Sequence, residues 1–153
     1  MTKPVDLREV KGCMLLRVRR LARRAQQIYD RHLDPVALTI NQFGLLAQIH
    51  AGKGEGGGLS LSALAEKIGM DPTTLNRNIK PLLKEGLAAN RADPADKRIR
   101  ILAVTAKGNE RLGRAVPLWR AAEREVEAAV GGETLQAMNG LVDLAALRLA
   151  EHG

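Results

Sequence analysis

Apolar residues recur at helical spacing over residues 72–84, near the middle of the chain. At about 100° per residue they gather on one side of a helix, and hydroxyl and cationic side chains gather on the other. The apolar side consists of Leu75, Ile79, Leu82 and Leu83. The polar side consists of Thr73, Arg77, Lys80 and Lys84, flanked by Thr74 and Asn76. The pattern predicts a helix with one buried face and one cationic face in solvent.

The residues at the ends of this segment are typical of helix boundaries. Asp71 and Pro72 suit the N-cap and the first helical position, because Asp can accept a hydrogen bond from an unpaired N–H and Pro has none to lose. Gly86 can adopt the left-handed conformation that commonly ends a helix. Pro81 lies inside the segment, so we expect a bend there and a straight portion over residues 73–80.

A shorter helix is predicted immediately before this one. Ser60 can cap it and Gly69 can end it. Its apolar positions are Leu61, Leu64, Ala65 and Ile68. Two short helices joined at residues 69–71 form a helix-turn-helix, whose second helix enters the major groove in DNA-binding proteins. The alternative is an ordinary amphipathic surface helix whose charged face is merely solvated.

A β-hairpin is predicted after the helices, with strands at residues 87–91 and 99–104. The turn, residues 93–98, contains Pro94 and four charged residues, which suits a bend. Asp93 can pair with Arg98 across the turn, and Lys97, Arg98 or Arg100 can reach a phosphate or the minor groove. The alternative is a solvated hairpin with a surface ion pair that contributes little energy.

The remaining segments are predicted to be helical. Thr39 or Asn41 begins a helix that contains Phe43 and ends at a glycine-rich linker, residues 52–58, which lacks the Lys-Ser/Thr ending of a phosphate-binding loop. Thr105 caps a helix that runs to about Val130, with a kink expected at Pro117. A last helix follows two glycines. Its apolar positions are Leu135, Met138, Leu141, Val142, Ala145 and Leu149.

Composition narrows the class of protein. The chain has 153 residues, a formal net charge of +7 and a pI near 10.1, which favour a polyanionic partner. One cysteine excludes an intrachain disulfide, and no cofactor or metal site is predicted. No set of nucleophile, base and orienting group suggests an enzyme. Three aromatic residues argue against binding single strands by base stacking. Without a long apolar run or a signal peptide, we expect a cytoplasmic protein without a membrane partner.

Two segments together resemble the MarR family of bacterial transcription regulators. They are Asp71-Pro-Thr-Thr-Leu-Asn-Arg-Asn-Ile-Lys-Pro-Leu-Leu-Lys-Glu-Gly-Leu87 and Asp93-Pro-Ala-Asp-Lys-Arg-Ile-Arg-Ile-Leu-Ala-Val-Thr-Ala-Lys-Gly108. The resemblance extends from a first helix near residue 7 to a last helix near residue 150. It implies a winged helix-turn-helix homodimer that binds a pseudo-palindromic operator in double-stranded DNA, usually as a repressor, and dissociates when an effector or oxidant arrives.

The resemblance also implies roles for individual residues and segments. Thr73, Thr74, Asn76 and Arg77 would lie at base edges or nearby phosphates, Ser62 and Lys80 at the backbone, and Arg98 at the wing tip. Residues 1–38 would form an N-terminal dimerisation helix, residues 39–104 the DNA-binding region with a wing at about 91–100, and residues 105–153 the C-terminal dimerisation helices. The whole would be one compact domain, mainly α with a small β-hairpin. The alternative for the terminal helices is a lobe that packs within one chain.

Two triggers for DNA release remain open. Residues 1–33 hold nine Lys or Arg and three acidic residues, and Cys13 lies among these arginines, where positive charge favours a reactive thiolate. The alternative is a small apolar residue in a helix interface. The second trigger is a small organic anion, for which Arg20, Arg24, Phe43 and Trp119, together with His32 and His50, are conceivable pocket residues. The surplus arginines could instead face a partner's acidic residues at 123–127 or flanking phosphates.

Two other functions are compatible with the same residues. A sequence-indifferent architectural DNA-binding protein would use the same charge and bind all duplexes alike. A winged helix could also serve a protein partner. Replacement of Arg77 distinguishes these hypotheses, because only a base contact is specific for one sequence.

Overall fold

The computed structural model describes residues 8–52 and 58–152. These residues form six α-helices and one antiparallel hairpin. In chain order the elements are α1 (Met14–Leu33), α2 (Ile40–His50), α3 (Leu61–Ile68), α4 (Pro72–Lys84), β1 (Ala88–Ala92), β2 (Arg100–Val104), α5 (Ala106–Val130) and α6 (Gly132–Ala150). The mainly helical fold with a small hairpin that the sequence predicts is confirmed. No helix in the described ranges is both long and apolar enough to cross a membrane.

The helix-turn-helix is formed by α3 and α4, and its boundaries are those predicted. Ser60 Oγ accepts a hydrogen bond from the Ala63 N–H at 3.1 Å, and Gly69 ends α3 with a φ of 65°. Asp71 Oδ1 accepts from the Thr74 N–H at 2.9 Å, which caps α4. The α4 helix continues through Pro81 to Lys84, and Gly86 has a φ of 69°. These caps fix where the second helix begins and ends.

A hydrophobic core supports the helix-turn-helix from behind. The largest fully buried side chains are Leu33, Leu46, Ile49, Leu64, Leu75, Ile79, Leu82 and Leu87. They come from α1, α2, α3 and α4 and from the residue before β1. Because three of them belong to α4, this helix is held by one face and leaves the other free for a partner.

The hairpin is fixed to the segment before α3 as well as to itself. Its register pairs Ala88 with Val104 and Ala92 with Arg100. Leu59 adds a bridge to Leu102, with backbone hydrogen bonds of 3.0 and 2.7 Å. Gly58, at a φ of +136°, lies so close to the Leu102 carbonyl that a Cβ there would collide with it. Of the predicted linker, residues 53–57 lie outside the described residues.

The start of the first helix differs from the prediction. The α-helix begins at Met14 and not near residue 7, and Arg8–Gly12 forms a 3-10 helix instead. Gly12 at the junction explains the break, since glycine is about 1 kcal/mol less favourable than alanine inside an α-helix. Cys13 therefore precedes α1 and does not lie within it. Its carbonyl oxygen accepts from the Arg17 N–H at 3.2 Å, and the residue is exposed.

Backbone contacts divide the chain into two compact units. One unit is Asp30–Trp119, and the other contains the described residues before and after it. In the second unit, the Tyr29 hydroxyl donates to Glu123 Oε1 at 2.7 Å. Burial, followed by this hydrogen bond, raises the pKa of Tyr29, so the phenol stays protonated and remains a donor. The functional roles predicted for residues 1–38, 39–104 and 105–153 stay predictions.

The Thr105 hydroxyl joins the end of α4 to the start of α5. Thr105 Oγ1 donates to the Gly86 carbonyl at 2.6 Å and accepts from the Gly108 N–H at 3.0 Å. Thr105 is thereby the predicted cap of α5. Lys107 Nζ adds a hydrogen bond of 2.7 Å to the Glu85 carbonyl. A Cβ at Gly108 would collide with the Leu87 carbonyl, so the two segments are in direct backbone contact.

Candidate DNA interface

The outward face of α4 is the centre of the candidate site. The side chains of Thr73, Arg77, Lys80 and Lys84 are exposed, as the helical spacing predicts. Leu75, Ile79 and Leu82 are buried on the opposite face. In the described part of the chain, the side chains of Arg77 and Lys80 make no hydrogen bond or ion pair. Their charge and donors are therefore available to a partner.

The cap of this helix has a testable pH dependence. Hydrogen bonds from Thr74, its hydroxyl and then its N–H, hold the pKa of the Asp71 carboxyl below its ordinary value of 3.8. The pKa of Asp71 is therefore lower in the folded protein than in the unfolded protein. The ionised cap stabilises the fold at a pH above the pKa of the unfolded state, and this stabilisation is lost as the pH falls through the pKa of the folded state.

As the pH falls through the pKa of Asp71, we expect the free energy of unfolding of the wild type to fall relative to that of Asp71→Asn. Asparagine is an equally good N-cap that does not titrate. Thermal unfolding of both proteins between about pH 6 and about pH 3 measures the difference. Parallel melting curves over that range contradict the assignment of Asp71 as the titrating cap.

The ion pair at the hairpin tip is not the one predicted. Arg98 pairs with Asp96, through two side-chain contacts of 3.1 Å each, and not with Asp93. Asp93 instead accepts from the Ala95 N–H at 2.8 Å, because a short Asp side chain readily bonds the backbone two residues on. The same Arg98 contact lowers the pKa of Asp96. The turn therefore holds Arg98 locally, and its side chain remains 91% exposed.

The other predicted DNA-binding residues lie around this face. Ser62 and Asn76 are exposed and Thr74 is half-buried. The Ser62 hydroxyl lies 3.1 Å from that of Ser60, near the start of α3. Lys97 and Arg100 are exposed on the hairpin. The fold thus brings α3, α4 and the hairpin together in one unit, with polar side chains from each of them in solvent.

Two of the predicted effector residues are in contact. The rings of Phe43 and Trp119 stack with centroids 6.0 Å apart and an interplanar angle of 22°. Beside them is a pocket of about 350 Å³ between α2 and α5. It is lined by Phe43, Ala47, His50, Asn109, Leu112, Gly113 and Val116. His50 Nδ1 lies 3.0 Å from Asn109 Oδ1. Sequence reasoning missed Asn109, because nothing local indicates that α5 packs on α2.

Three of the remaining predicted effector residues belong to the other unit, whereas His32 lies within Asp30–Trp119 and does not line this pocket. Cys13, Arg20 and Arg24 are all exposed there. Arg20 lines a recess of about 520 Å³ with Lys11, Arg17 and Arg23, along with two apolar residues. Among the described residues, no group of three or more His, Cys, Asp or Glu is arranged to hold a metal ion.

Comparison with known proteins identifies the family. A model of the MarR family matches residues 38–99. The transcriptional regulator MosR of M. tuberculosis is 36% identical, with a TM-score of 0.74, over 95% of this chain and 99% of its own. The chain belongs to the MarR family of transcriptional regulators. No curated protein matches it.

Solved structures of other MarR-family regulators share the fold. MosR in complex with DNA is 38% identical, with a TM-score of 0.71, over 88% of this chain and 97% of that one. A mutant MarR from E. coli complexed with operator DNA has a TM-score of 0.78 at 17% identity, covering 92% and 99% of the two chains. The resemblance seen in the sequence is confirmed, and so is the winged-helix fold.

Proposed function

We propose that this MarR-family regulator binds a specific operator in double-stranded DNA, with α4 in the major groove and the hairpin tip in the adjacent minor groove. The observation that carries the proposal is the exposed, unpaired row of Thr73, Arg77 and Lys80 on a helix whose other face is buried. A helix fits the major groove, and Arg there can bind guanine with two hydrogen bonds. The MosR structure in complex with DNA, at 38% identity, supports DNA binding by this chain.

The proposal includes a homodimer. Both terminal helices expose apolar side chains in the described chain, among them Met14 and Val18 on α1. On α6 these are Leu141, Val142, Leu144, Leu147 and Leu149. A recess of about 370 Å³ between the two helices is lined almost entirely by such residues. Exposed apolar surface on this scale marks an interaction site, and a second copy bound through it presents two α4 helices to a palindrome.

Selection of bound duplexes from a random library, followed by footprinting on the selected sequence, tests the proposal. We expect one palindrome with half-sites about 10 bp apart, protected by a dimer. Equal binding to every duplex favours the architectural alternative, and no binding at all favours a protein-contact role. Footprinting the DNA upstream of the protein's own coding region, with transcription in vitro, then shows whether occupancy represses.

We infer that repression is relieved by a small organic anion in the pocket between α2 and α5. Phe43, Leu112 and Val116 offer an apolar wall. At one end the His50 Nδ1–H donates to Asn109 Oδ1, which leaves the Asn109 NH2 group as a donor for a ligand. Pockets of this kind, mostly apolar with a few polar groups, are typical of small-molecule sites. An aromatic carboxylate matches both the apolar wall, through its ring, and the polar end of the pocket, through its carboxylate. The alternative trigger is oxidation of the exposed Cys13.

Filling the pocket with Val116→Phe is expected to preserve operator binding and to abolish release by an aromatic carboxylate. The added ring occupies the ligand's volume, so the concentration needed for release should rise at least tenfold, that is by about 1.4 kcal/mol in ligand binding. Fluorescence anisotropy of a labelled operator, titrated with a panel of aromatic carboxylates, measures it. If peroxide alone releases the wild type from the operator, and Cys13→Ser is not released, the proposed effector pocket is overturned and oxidation of Cys13 is favoured.

A further inference from the structure

A cleft of about 340 Å³ separates α4 from the hairpin. It is lined by Leu61, Asn76, Ile79, Leu83, Asn90, Arg100 and Leu102. Ile79 and Leu102 are buried and form part of an apolar floor. Asn76, Asn90 and Arg100 are exposed, so their polar ends border the opening. The cleft thus combines an apolar floor with a polar rim.

The polar rim is positioned by regular secondary structure. Asn90 pairs with Leu102 in the hairpin register and Ala92 pairs with Arg100, so Asn90 and Arg100 lie on the same face of the hairpin. Asn76 lies on the flank of α4 that also carries Ile79 and Leu83, since residues three and seven apart share a helix face. Groups on a helix and on paired strands are held more precisely than groups on loops.

The rim carries hydrogen-bond donors without a counter-charge. Within the described residues, the side chains of Asn76, Asn90 and Arg100 form no hydrogen bond or ion pair with the protein. No carboxylate lines the cleft. Two amide NH2 groups and one guanidinium therefore face solvent together, which is the donor set that binds a phosphate oxygen.

The geometry of duplex DNA indicates which phosphate would lie at the cleft. One sugar-phosphate strand separates the major groove from the adjacent minor groove. If α4 occupies the first and the hairpin tip the second, that strand must cross the space between the two elements. We propose that the cleft holds one phosphodiester of this strand, with Asn90 and Arg100 as donors and the apolar floor against its deoxyribose. This assignment rests on the proposed function and adds Asn90 to the DNA-binding residues.

A scan of neutral phosphates in the selected operator tests the assignment. Each phosphate of a half-site is replaced in turn by methylphosphonate, and affinity is measured by fluorescence anisotropy. We expect one position, on the strand between the two grooves, at which the wild type loses affinity while Asn90→Ala and Arg100→Ala lose little more. Non-additive losses at that position identify the phosphate that the two side chains contact, and additive losses at every position contradict the assignment.

The variants should also differ from each other on unmodified DNA. Asn90→Ala is expected to weaken binding by about three- to tenfold with the salt dependence unchanged, because a neutral amide releases no counterion. Arg100→Ala should weaken it by about tenfold and lower the slope of log K against log salt by about 0.9. Asn90→Asp, which places a negative charge beside the phosphate, should weaken binding more than Asn90→Ala does.

A matched control moves the amide to the other face of the same strand. Ala89 is exposed and its side chain points away from the cleft, so Ala89→Asn combined with Asn90→Ala keeps the composition of β1 but should bind like Asn90→Ala alone. Rescue of binding by this double variant overturns the assignment. So does wild-type affinity of Asn90→Ala for the operator, which leaves the proposed function intact. Failure of the wild type to prefer any duplex overturns the proposed function and the assignment with it.

Discussion

Arg77→Ala is expected to weaken binding to the operator by about 1–3 kcal/mol, or about 5- to 150-fold, while binding to random duplexes weakens far less. Arg77 is exposed at the centre of the outward face of α4 and makes no side-chain contact within the described chain. A guanidinium in that position can donate two hydrogen bonds to one guanine. Its removal then costs specificity as well as affinity.

Titration of operator and random duplexes at two salt concentrations distinguishes a base contact by Arg77 from a purely electrostatic contact with phosphate. Lys84→Ala is the matched control, because Lys84 is a cation on the same face but in the last turn of α4. A base contact predicts a large loss for Arg77→Ala on the operator alone. Equal weakening on all sequences assigns Arg77 to a phosphate instead, and unchanged binding contradicts the DNA-binding role of this face.

The largest effect on stability is expected from Leu82→Ala, at about 2–5 kcal/mol. Leu82 is fully buried and belongs to the core that holds α4 from behind. The substitution removes three carbon atoms and leaves a cavity that the surrounding helices only partly fill. Chemical denaturation at a fixed protein concentration measures the loss, since a dimer's apparent stability depends on concentration.

Pro81 provides the comparison for this substitution. It is the residue before Leu82 in the same helix but is exposed, so Pro81→Ala removes no buried side chain. We expect Pro81→Ala to be neutral or stabilising, because alanine restores the helical N–H that proline lacks. Equal destabilisation by the two variants contradicts the burial of the apolar face of α4.

The parts of the fold that the sequence predicts well are those decided by near neighbours. Ser60, Gly69, Asp71 and Thr105 each act on backbone groups within a few residues, so their chemistry alone indicates where helices begin or end. The amphipathic division of α4 is equally local, because it depends only on spacing. The helix-turn-helix and the hairpin are therefore predictable from the order of the residues alone.

The features that the sequence did not reveal depend on which segments meet. Arg98 has two Asp residues within reach, and only the turn geometry selects Asp96. The pairing of Asn109 with His50 and the place of Asn90 beside α4 require knowledge of helix and strand packing. The α1 helix begins only at Met14, because a 3-10 helix forms before it, up to Gly12. A periodic pattern of apolar residues does not distinguish these two helix types.

The Thr105 hydroxyl fixes the C-terminal end of α4 directly to the first turn of α5. It is hydrogen-bonded both to the Gly86 carbonyl and to the Gly108 N–H, and the next residue, Asn109, lines the proposed effector pocket. A ligand that rotates this first turn of α5 must drag the C-terminal end of α4 with it or break these bonds. Effector release through the proposed pocket therefore requires the first turn of α5 and the end of α4 to move as one body, or these hydrogen bonds to break.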